Sequence, residues 1–265
     1  MGKLDGKVAL ITGASRGIGA DFARRFAREG AAVALTARTV DEGDHVLEGS
    51  INSTLRSIED RGGKAIGIAS NLAKPEEREA LVAEVRERLG PVDILINNAA
   101  VSFFLPILGF PRKRADVMFE VQVFGPMDLA QRVIPDMKQR RSGWILNISS
   151  GAAEDPVGPP FQELHTTETV YGMVKSALER FTTGLAAELY GTGIAVNCLS
   201  PRGLVMTPGA KYNKIHELVP DSEEAPNVMP EAALALCTGD PEKLTGRVVY
   251  SQSFLDEIGC KAQPI

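Results

Sequence analysis

Short apolar runs alternate with longer helical patterns along this chain of 265 residues, and that alternation constrains its fold more than any other feature. Runs that are apolar throughout, rather than at every second position, are typical of strands covered by helices on both faces. Strand–helix alternation favours a parallel sheet with right-handed crossovers. The sequence therefore predicts an α/β fold with a doubly wound, seven-stranded parallel sheet. Its strands are expected at residues 7–12, 32–37, 65–70, 92–97, 144–149, 194–199 and 247–250.

Apolar residues at helical spacing fill the gaps between these runs. Helices are expected at residues 16–29, 75–89, 117–139 and 170–189. Pro75 opens the second of them at a position where its missing N–H costs nothing, whereas Gly125–Pro126 and Pro135 interrupt the third. No linker-like or low-complexity stretch divides the chain. We therefore expect residues 1–265 to form a single domain.

The composition is that of an ordinary globular protein, with 44% hydrophobic and 24% charged residues. A net charge of −5 argues against nucleic acid as a partner, because phosphate binding requires a concentrated basic surface. The three cysteines and three histidines lack metal-ligand spacing, which predicts reduced thiols and no metal site. No signal-peptide pattern occurs and no apolar stretch approaches the ~20 residues that span a bilayer. These features predict a cytoplasmic protein without membrane contact.

A glycine-rich turn, TGASRGIG at residues 12–19, lies between the first strand and the first helix. Glycines allow a tight turn and a close approach of the backbone to a ligand. Backbone N–H groups and the helix dipole at such a position stabilise a pyrophosphate. A structural loop is the alternative, but the position between strand and helix favours a dinucleotide site.

Tyr171 and Lys175 are four residues apart on the long helix, and the pair Ser149 and Ser150 lies upstream. Residues at this spacing share a helix face, so the ammonium can lower the phenol's pKa from its usual ~10. A phenol tuned in this way can protonate an alkoxide. The tyrosine–lysine spacing alone is common on any helix and would indicate only structure. Together with the glycine turn and the serines, it indicates proton-transfer chemistry.

These motifs occur in a fixed order with NNAA at residues 97–100, ISS at the end of the fifth strand and VNCLSP at residues 196–201. In this order of motifs the chain resembles compact short-chain dehydrogenases/reductases, and some of its features resemble their hydroxysteroid-dehydrogenase-like branch. The resemblance implies a Rossmann fold and hydride transfer between a nicotinamide cofactor and a carbonyl or alcohol. It implies that Tyr171 is the general acid/base, that Lys175 tunes it and holds the nicotinamide ribose, and that a serine binds the substrate oxygen. We place that serine at Ser150, with Ser149 as the alternative.

Two departures from the family pattern concern the proton-transfer group. Gln122 occupies the place where the family often has an asparagine that supports a water relay to the lysine. Ser150 and Tyr171 are 21 residues apart, where the family has about a dozen, and the additional residues read as a surface loop. Such a loop could close over the substrate. His165, within this loop, is expected to be solvent-exposed rather than catalytic.

The resemblance also implies which residues bind the cofactor. They are Gly13, Ser15, Arg16, Gly17, Ile18, Gly19, Arg38, Asn71, Leu72, Asn97, Asn98, Ala99, Tyr171, Lys175, Pro201, Gly203 and Thr207. Arg38 follows the second strand, where NAD binders usually place an acidic residue, so it favours NADP(H) over NAD(H). Arg16 could reach the same 2′-phosphate; the alternative is that both arginines are merely solvated. Asn71 is expected to accept a bond from the adenine, and Thr207 to bind the nicotinamide carboxamide.

Apolar residues 103–106, with Val157 and Phe161, either line the mouth of the substrate site or are ordinary packing. The first alternative favours an apolar carbonyl or alcohol substrate. A small substrate lid is expected around residues 202–243. The resemblance implies a homodimer or homotetramer built partly on the long helix. The rival interpretation is a dinucleotide-binding redox sensor without turnover, which would have no need for the acid.

Overall fold

The computed structural model describes residues 2–218 and 222–264. Within them, seven parallel strands form one sheet in the order β3-β2-β1-β4-β5-β6-β9. The strands are β1 (Val8–Thr12), β2 (Ala32–Ala37), β3 (Lys64–Ala69), β4 (Ile94–Asn97), β5 (Gly143–Ile148), β6 (Ile194–Ser200) and β9 (Val248–Tyr250). This confirms the predicted sheet, with strand ends that differ by one or two residues.

The strand order reverses beside β1, which pairs with β2 on one side and with β4 on the other. Crossovers therefore leave β1 and β4 in opposite directions, and a crevice opens at their carboxyl ends. Ligands of doubly wound sheets bind in such a crevice. The glycine turn and the segment after β4 both begin there.

Helices cover both faces of the sheet. They are α1 (Gly17–Arg28), α2 (Ile51–Glu59), α3 (Pro75–Leu89), α4 (Arg112–Phe119), α5 (Gly125–Arg140), α6 (Thr169–Leu189), α7 (Pro208–Tyr212), α8 (Ile215–Leu218), α9 (Val228–Leu236) and α10 (Ser251–Glu257). One core lies under α1, α9 and α10, where Phe22, Met229 and Phe254 are fully buried. The other lies under α3, α5 and α6. The continuous apolar strands are thus buried from both sides, as predicted.

The helix predicted at residues 117–139 is divided in the structure. It begins earlier, at Arg112, and a π-helical turn at Glu120–Phe124 joins α4 to α5. The predicted interruption at Gly125–Pro126 lies where α5 begins, whereas Pro135 lies inside α5 without ending it, so the interruption predicted there is wrong. The sequence interpretation missed α2, although Ile51, Leu55 and Ile58 repeat at helical spacing. Ser50 caps α2 by accepting the N–H of Ser53 at 3.0 Å.

The segment predicted to form a lid contains the strands β7 (Leu204–Val205) and β8 (Glu223–Glu224), which pair with each other. Residues 219–221, also part of that prediction, lie outside the described residues. Glu224 is buried, and its Oε2 accepts the N–H groups of Arg202 at 2.7 Å and Gly203 at 3.2 Å. Ser251 donates to the same carboxylate at 2.7 Å. This carboxylate fixes the chain where it leaves β6; the lid itself stays a prediction.

A buried ion pair joins α1 to α9. Arg25 Nε donates to Glu231 Oε2 at 3.0 Å, and both side chains are almost fully buried. The guanidinium also contacts Glu29 at 2.5 Å. Removing one partner of a buried pair leaves an uncompensated charge, which is more costly than losing an exposed pair.

We therefore expect Glu231→Ala to lower the free energy of unfolding by about 3 kcal/mol, because Arg25 is left with one carboxylate. Urea denaturation followed by circular dichroism measures this change. Asp116→Ala, which removes the exposed pair with Arg112, is the control and should leave the midpoint unchanged. Equal midpoints for both variants would contradict the role given to the buried pair.

Candidate active site

The glycine turn after β1 packs against the segment after β4 so closely that side chains are excluded. A Cβ on Gly13 would lie 2.7 Å from the Cα of Ala99, and one on Gly19 would lie 2.3 Å from the Gly13 carbonyl oxygen. Gly13 and Gly17 have φ angles of 66° and 54°, a conformation that favours glycine. The turn therefore presents bare backbone at the start of α1, which fits a pyrophosphate.

Thr12 holds this turn in place. Its Oγ1 accepts the N–H groups of Asn98 and Ala99, each at 3.0 Å, and donates to Ile96 O at 3.3 Å. Asn98 returns a bond from its Nδ2 to Thr12 O at 2.9 Å. Asn98 and Ala99, predicted to adjoin the cofactor, thus lie at the crevice. Asn97 is instead buried and donates to Asn147 Oδ1 at 2.8 Å.

Ser15 and Ile18, two further predicted members of the turn, differ in their surroundings. Ser15 has 4% of its surface exposed and its hydroxyl has no hydrogen-bond partner among the described residues. Ile18 packs against the core beneath α1, so any contact that it makes with a phosphate is through the backbone.

Three basic side chains meet beyond the end of β2. Arg38 is exposed, and among the described residues it has no side-chain hydrogen bond or ion pair. Arg16 donates to the carbonyl oxygens of Glu48 and Gly49 at 2.8 and 2.5 Å. Burial chiefly lowers the pKa of Arg16, Glu42 opposes this, and Arg38 adds to it by charge repulsion. Burial is the main cause that lowers the pKa of His45, and repulsion by the same two arginines lowers it further. Glu42 compensates part of this charge, so Arg38, which is exposed, is the guanidinium available to an anionic ligand.

His45 was missed by the sequence interpretation, which weighed it only as a metal ligand. It lies in an irregular loop between β2 and α2. Its proximity to Arg16 and Arg38 depends on how that loop returns toward the glycine turn, for which the sequence has no periodic signal.

The remaining predicted cofactor contacts surround the same crevice. Asn71 Oδ1 accepts the N–H of Ala73 at 3.1 Å, so this oxygen already has one donor. Leu72 is buried, and Pro201 is partly buried. Thr207 lies against the turn, since a Cβ on Gly17 would be 3.0 Å from its methyl group. Its hydroxyl accepts the N–H of Ala210 at 3.1 Å and keeps its own proton for another acceptor.

The serine after β5 contacts the tyrosine on α6 as predicted from the resemblance. The hydroxyl of Ser150 lies close enough to the phenol of Tyr171 to lower its pKa, and its Oγ accepts the N–H of Ala152 at 3.3 Å. Ser149 is buried and donates instead to Glu179 Oε1 at 2.6 Å. The structure therefore brings Ser150, rather than Ser149, to the phenol.

Lys175 lies beside this pair but is not bonded to the phenol. Its Nζ is 5.6 Å from the centre of the Tyr171 ring and donates to Ile148 O at 2.8 Å. Burial lowers the pKa of Lys175 to about 8, although interactions with Cys198 and Glu179 act to raise it. Lys175 is buried between β5 and α6, so its position depends on the packing of these two elements.

The pKa of Tyr171 differs from the expectation. The pKa is raised to about 12, chiefly by burial; the nearby Ser150 hydroxyl acts to lower it and the Glu168 carboxylate to raise it. The expected lowering by Lys175 is therefore absent in this arrangement. Tyr171 remains protonated at neutral pH, the form that can donate a proton.

Gln122 is fully buried in the π-helical turn. Its Nε2 donates to Val101 O at 2.8 Å, while its Oε1 has no hydrogen-bond partner among the described residues. An unpaired buried acceptor is costly and indicates a place for a donor such as water. No hydrogen bond to Lys175 is present in the described chain, and the water relay stays a prediction.

The loop between Ser150 and Tyr171 packs against the start of α6 more closely than expected. The side chain of His165 is only 22% exposed, and its Nε2 lies 3.8 Å from Glu168 Oε1. The expectation that His165 is solvent-exposed is therefore wrong, because the loop folds back against the start of α6. Glu168, missed by the sequence interpretation, is 9% exposed and lies one helical turn before Tyr171. Burial raises its pKa. That helical spacing was the available signal.

Residues of the apolar run after β4 differ in their surroundings: one lies at the phenol and another is ordinary packing. The rings of Phe104 and Tyr171 meet edge to face at 5.4 Å, which places Phe104 at the phenol. Phe103 stacks under the guanidinium of Arg114 at 4.8 Å and belongs to a small apolar cluster with Met118. Val157 and Phe161 are exposed on the loop, at 85% and 57%.

Comparison with known proteins agrees with this geometry. The family model described as short chain dehydrogenase matches residues 7–217. The chain belongs to the short-chain dehydrogenase/reductase family. Enzymes of this family use a nicotinamide dinucleotide, which classes the chain with NAD(P)-dependent oxidoreductases.

One relative and two solved structures illustrate the range within this family. Short chain dehydrogenase MYCFIDRAFT_6125 of Pseudocercospora fijiensis is 35% identical over 81% of this chain and 65% of its own length. L-Sorbose reductase of Gluconobacter frateurii, complexed with NADPH and L-sorbose, is 30% identical with a TM-score of 0.80, over 94% of this chain and 96% of that one. A 7α-hydroxysteroid dehydrogenase, complexed with NADH and 7-oxo glycochenodeoxycholic acid, is 30% identical with a TM-score of 0.79 and 93% coverage of both chains. Cofactor and substrate thus differ among similar folds.

Within the described residues, no helix is long and apolar enough to cross a bilayer. The same part of the chain contains no cluster of three or more histidine, cysteine or acidic residues placed to hold a metal ion.

The different partners of the two serines lead to a direct test. Ser150→Ala should lower kcat by about 100-fold, a loss typical of removing one hydrogen-bond donor to a reacting oxygen. Ser149→Ala is the matched control and should retain kcat, since its hydroxyl bonds Glu179. Steady-state rates of NADPH oxidation with a ketone substrate measure both. A loss with Ser149→Ala and none with Ser150→Ala would reverse the assignment.

Proposed function

We propose that this protein transfers a hydride between NADP(H) and a ketone or secondary alcohol. The proposal rests chiefly on the grouping of three side chains: Ser150 lies beside the Tyr171 phenol, and Lys175 Nζ is 5.6 Å from the centre of its ring. This group lies at the carboxyl end of β5, and the glycine turn lies at the carboxyl end of β1 in the same sheet. A dinucleotide on that turn would extend along the edge of the sheet toward the phenol.

The bound nicotinamide supplies or accepts the hydride, and the chain's own residues manage the proton. Ser150 orients the substrate oxygen by donating its hydroxyl proton. Tyr171, protonated because its pKa is raised to about 12, gives its proton to the alkoxide that forms on reduction. Lys175 uses one ammonium proton on Ile148 O and keeps two for other acceptors, such as ribose hydroxyls.

The preference for NADP(H) is supported by the basic group after β2. Arg38 is exposed and has no ion pair among the described residues, and Arg16 adds positive charge nearby. A 2′-phosphate would neutralise this charge and accept a forked hydrogen bond from a guanidinium. Arg16 already spends two N–H groups on Glu48 and Gly49, so Arg38 is the stronger candidate.

The substrate and assembly proposals rest on exposed or partly exposed apolar side chains. Phe104 presents an apolar surface directly at Tyr171, which suits an apolar group on one side of the carbonyl carbon. Met127 on α5 and Met173 on α6 are 37% and 53% exposed. These side chains are suited to burial between subunits, which supports a homodimer or homotetramer.

Tyr171→Phe tests the chemistry against the sensor interpretation. We expect kcat to fall at least 1,000-fold, since the variant lacks the acid, while NADPH binding changes by no more than about twofold. Turnover is measured by NADPH absorbance and binding by fluorescence titration.

Tyr190→Phe serves as the matched control, because Tyr190 is 64% exposed at the end of α6. It should behave as the parent protein in both assays. Undiminished turnover in Tyr171→Phe would exclude the phenol as the acid.

Arg38→Ala tests the cofactor assignment. The parent protein should bind NADPH more tightly than NADH. In the variant, the ratio of the two affinities should fall at least about 10-fold, because one charge-assisted hydrogen bond is lost. Arg61→Ala is the control, because it removes an exposed arginine that precedes β3 and so lies at the amino ends of the strands, away from Arg38. Equal affinities for both nucleotides in the parent protein would contradict the assignment.

A further inference from the structure

A buried carboxylate holds the chain where it leaves the carboxyl end of β6. Glu224 is 7% exposed, and its Oε2 accepts the N–H groups of Arg202 at 2.7 Å and Gly203 at 3.2 Å. The hydroxyl of Ser251 lies 2.7 and 2.8 Å from the two carboxylate oxygens. Ser251 is itself fully buried at the start of α10. Three donors from two separate segments therefore converge on one side chain.

The backbone already attaches the strand that carries Glu224 to this part of the chain. Leu204 donates its N–H to the carbonyl oxygen of Ser222 at 2.5 Å, and β7 then pairs in parallel with β8. A Cβ on Gly203 would lie 2.0 Å from the same oxygen, so the two segments pack too closely for a side chain. The carboxylate is thus additional to the contacts that attachment requires.

A buried carboxylate costs free energy unless donors satisfy it. No lysine or arginine side chain in the described part of the chain forms an ion pair with Glu224, and hydrogen bonds alone satisfy its charge. Hydrogen bonds to an ionised acceptor are stronger than those between neutral groups. The N–H groups of two consecutive residues reach one oxygen only in a restricted backbone conformation. Glu224 therefore selects a single conformation for residues 202 and 203.

This conformation matters because residues 201–207 cross the predicted cofactor crevice. Pro201 follows β6 directly, at the end of the sheet where ligands of doubly wound folds bind. Thr207 lies against the glycine turn, since a Cβ on Gly17 would be 3.0 Å from its methyl group. Strands β4 and β5 lie between β6 and β1 in the sheet. The segment therefore spans the ends of these strands, from the sixth strand to the glycine turn.

We infer that Glu224 is a positioning residue for the nicotinamide half of the cofactor. The inference rests on the proposed function and adds to it a residue from the segment predicted to form a lid. All of the hydrogen bonds that the structure gives Glu224 go to the chain itself, so it acts through the backbone at residues 202 and 203. Without it, this backbone gains alternative conformations and contacts the nicotinamide ring less well.

Ligand pairs that differ only by the nicotinamide ring test the inference. NADPH is compared with 2′-phospho-ADP-ribose, and NADH with ADP-ribose, so that the comparison holds for either cofactor. Calorimetric titration gives each dissociation constant without turnover. In the parent protein we expect the ring-bearing ligand of the preferred pair to bind at least about 10-fold more tightly, the effect of one or two hydrogen bonds.

Glu224→Ala should lower this affinity ratio at least about fivefold, while the affinity for the ring-free ligand changes by less than about twofold. Glu223→Ala is the matched control, because Glu223 is the exposed neighbour in β8, and it should keep the parent ratio. Glu224→Gln retains an oxygen that can accept both N–H groups, so it should restore the ratio to within about twofold of the parent value.

Ser251→Ala provides a second measurement if Glu224→Ala folds poorly. It removes one donor from the carboxylate and leaves both backbone bonds in place. The ratio should therefore fall in the same direction by a smaller factor. A fold that is merely weakened would lower the affinity for both ligands of a pair equally, and the ratio would not change.

Binding and turnover separate this inference from the proposed function. The positioning role is overturned, and the oxidoreductase remains, if the parent reduces ketones but its two ligands bind equally. The same conclusion follows if the ratio is unchanged in every Glu224 and Ser251 variant that folds. If no ketone is reduced but Glu224→Ala lowers the ratio, the positioning role stands and the proposed reaction fails. Absence of binding by either pair would overturn both.

Discussion

The hydroxyl of Thr12 joins the carboxyl ends of β1 and β4, and the rest of the site is arranged around that contact. One oxygen accepts the N–H groups of Asn98 and Ala99 and donates to the carbonyl of Ile96. This fixes the glycine turn against the neighbouring segment so closely that only glycine fits at residues 13 and 19. Because crossovers diverge on either side of β1, the crevice opens here. A dinucleotide site follows from topology and one hydrogen-bonded hydroxyl.

The proton-transfer group depends on a different pair of elements, the end of β5 and the first turn of α6. Ser150 and Lys175 are both fixed to the β5 end, the former through Ala152 N and the latter through Ile148 O. Tyr171 is thereby placed between a hydroxyl donor and a buried ammonium. Burial dominates both pKa values, raising that of Tyr171 and lowering that of Lys175. The chain alone thus favours the protonated phenol, the form needed to reduce a carbonyl.

Much of this could be predicted from the sequence, because buried strands and the motifs at their ends have strong local signals. The seven-stranded sheet followed from continuous apolar runs. The π-helical turn around Gln122 could not be predicted, since tertiary packing rather than periodicity stabilises it. Helix α2 was missed although its apolar residues repeat at helical spacing. The serine pair remained ambiguous until the structure showed which hydroxyl lies beside Tyr171. His45 and His165 lie on irregular loops, whose return paths leave no periodic pattern.

The additional residues between Ser150 and Tyr171 also influence the phenol. They end at Glu168, which precedes α6, and His165 Nε2 lies 3.8 Å from its carboxylate. The charge of Glu168 acts to raise the pKa of Tyr171, whereas the Ser150 hydroxyl at the other end of the loop acts to lower it. The acidity of the phenol therefore depends on how both ends of the loop pack against α6.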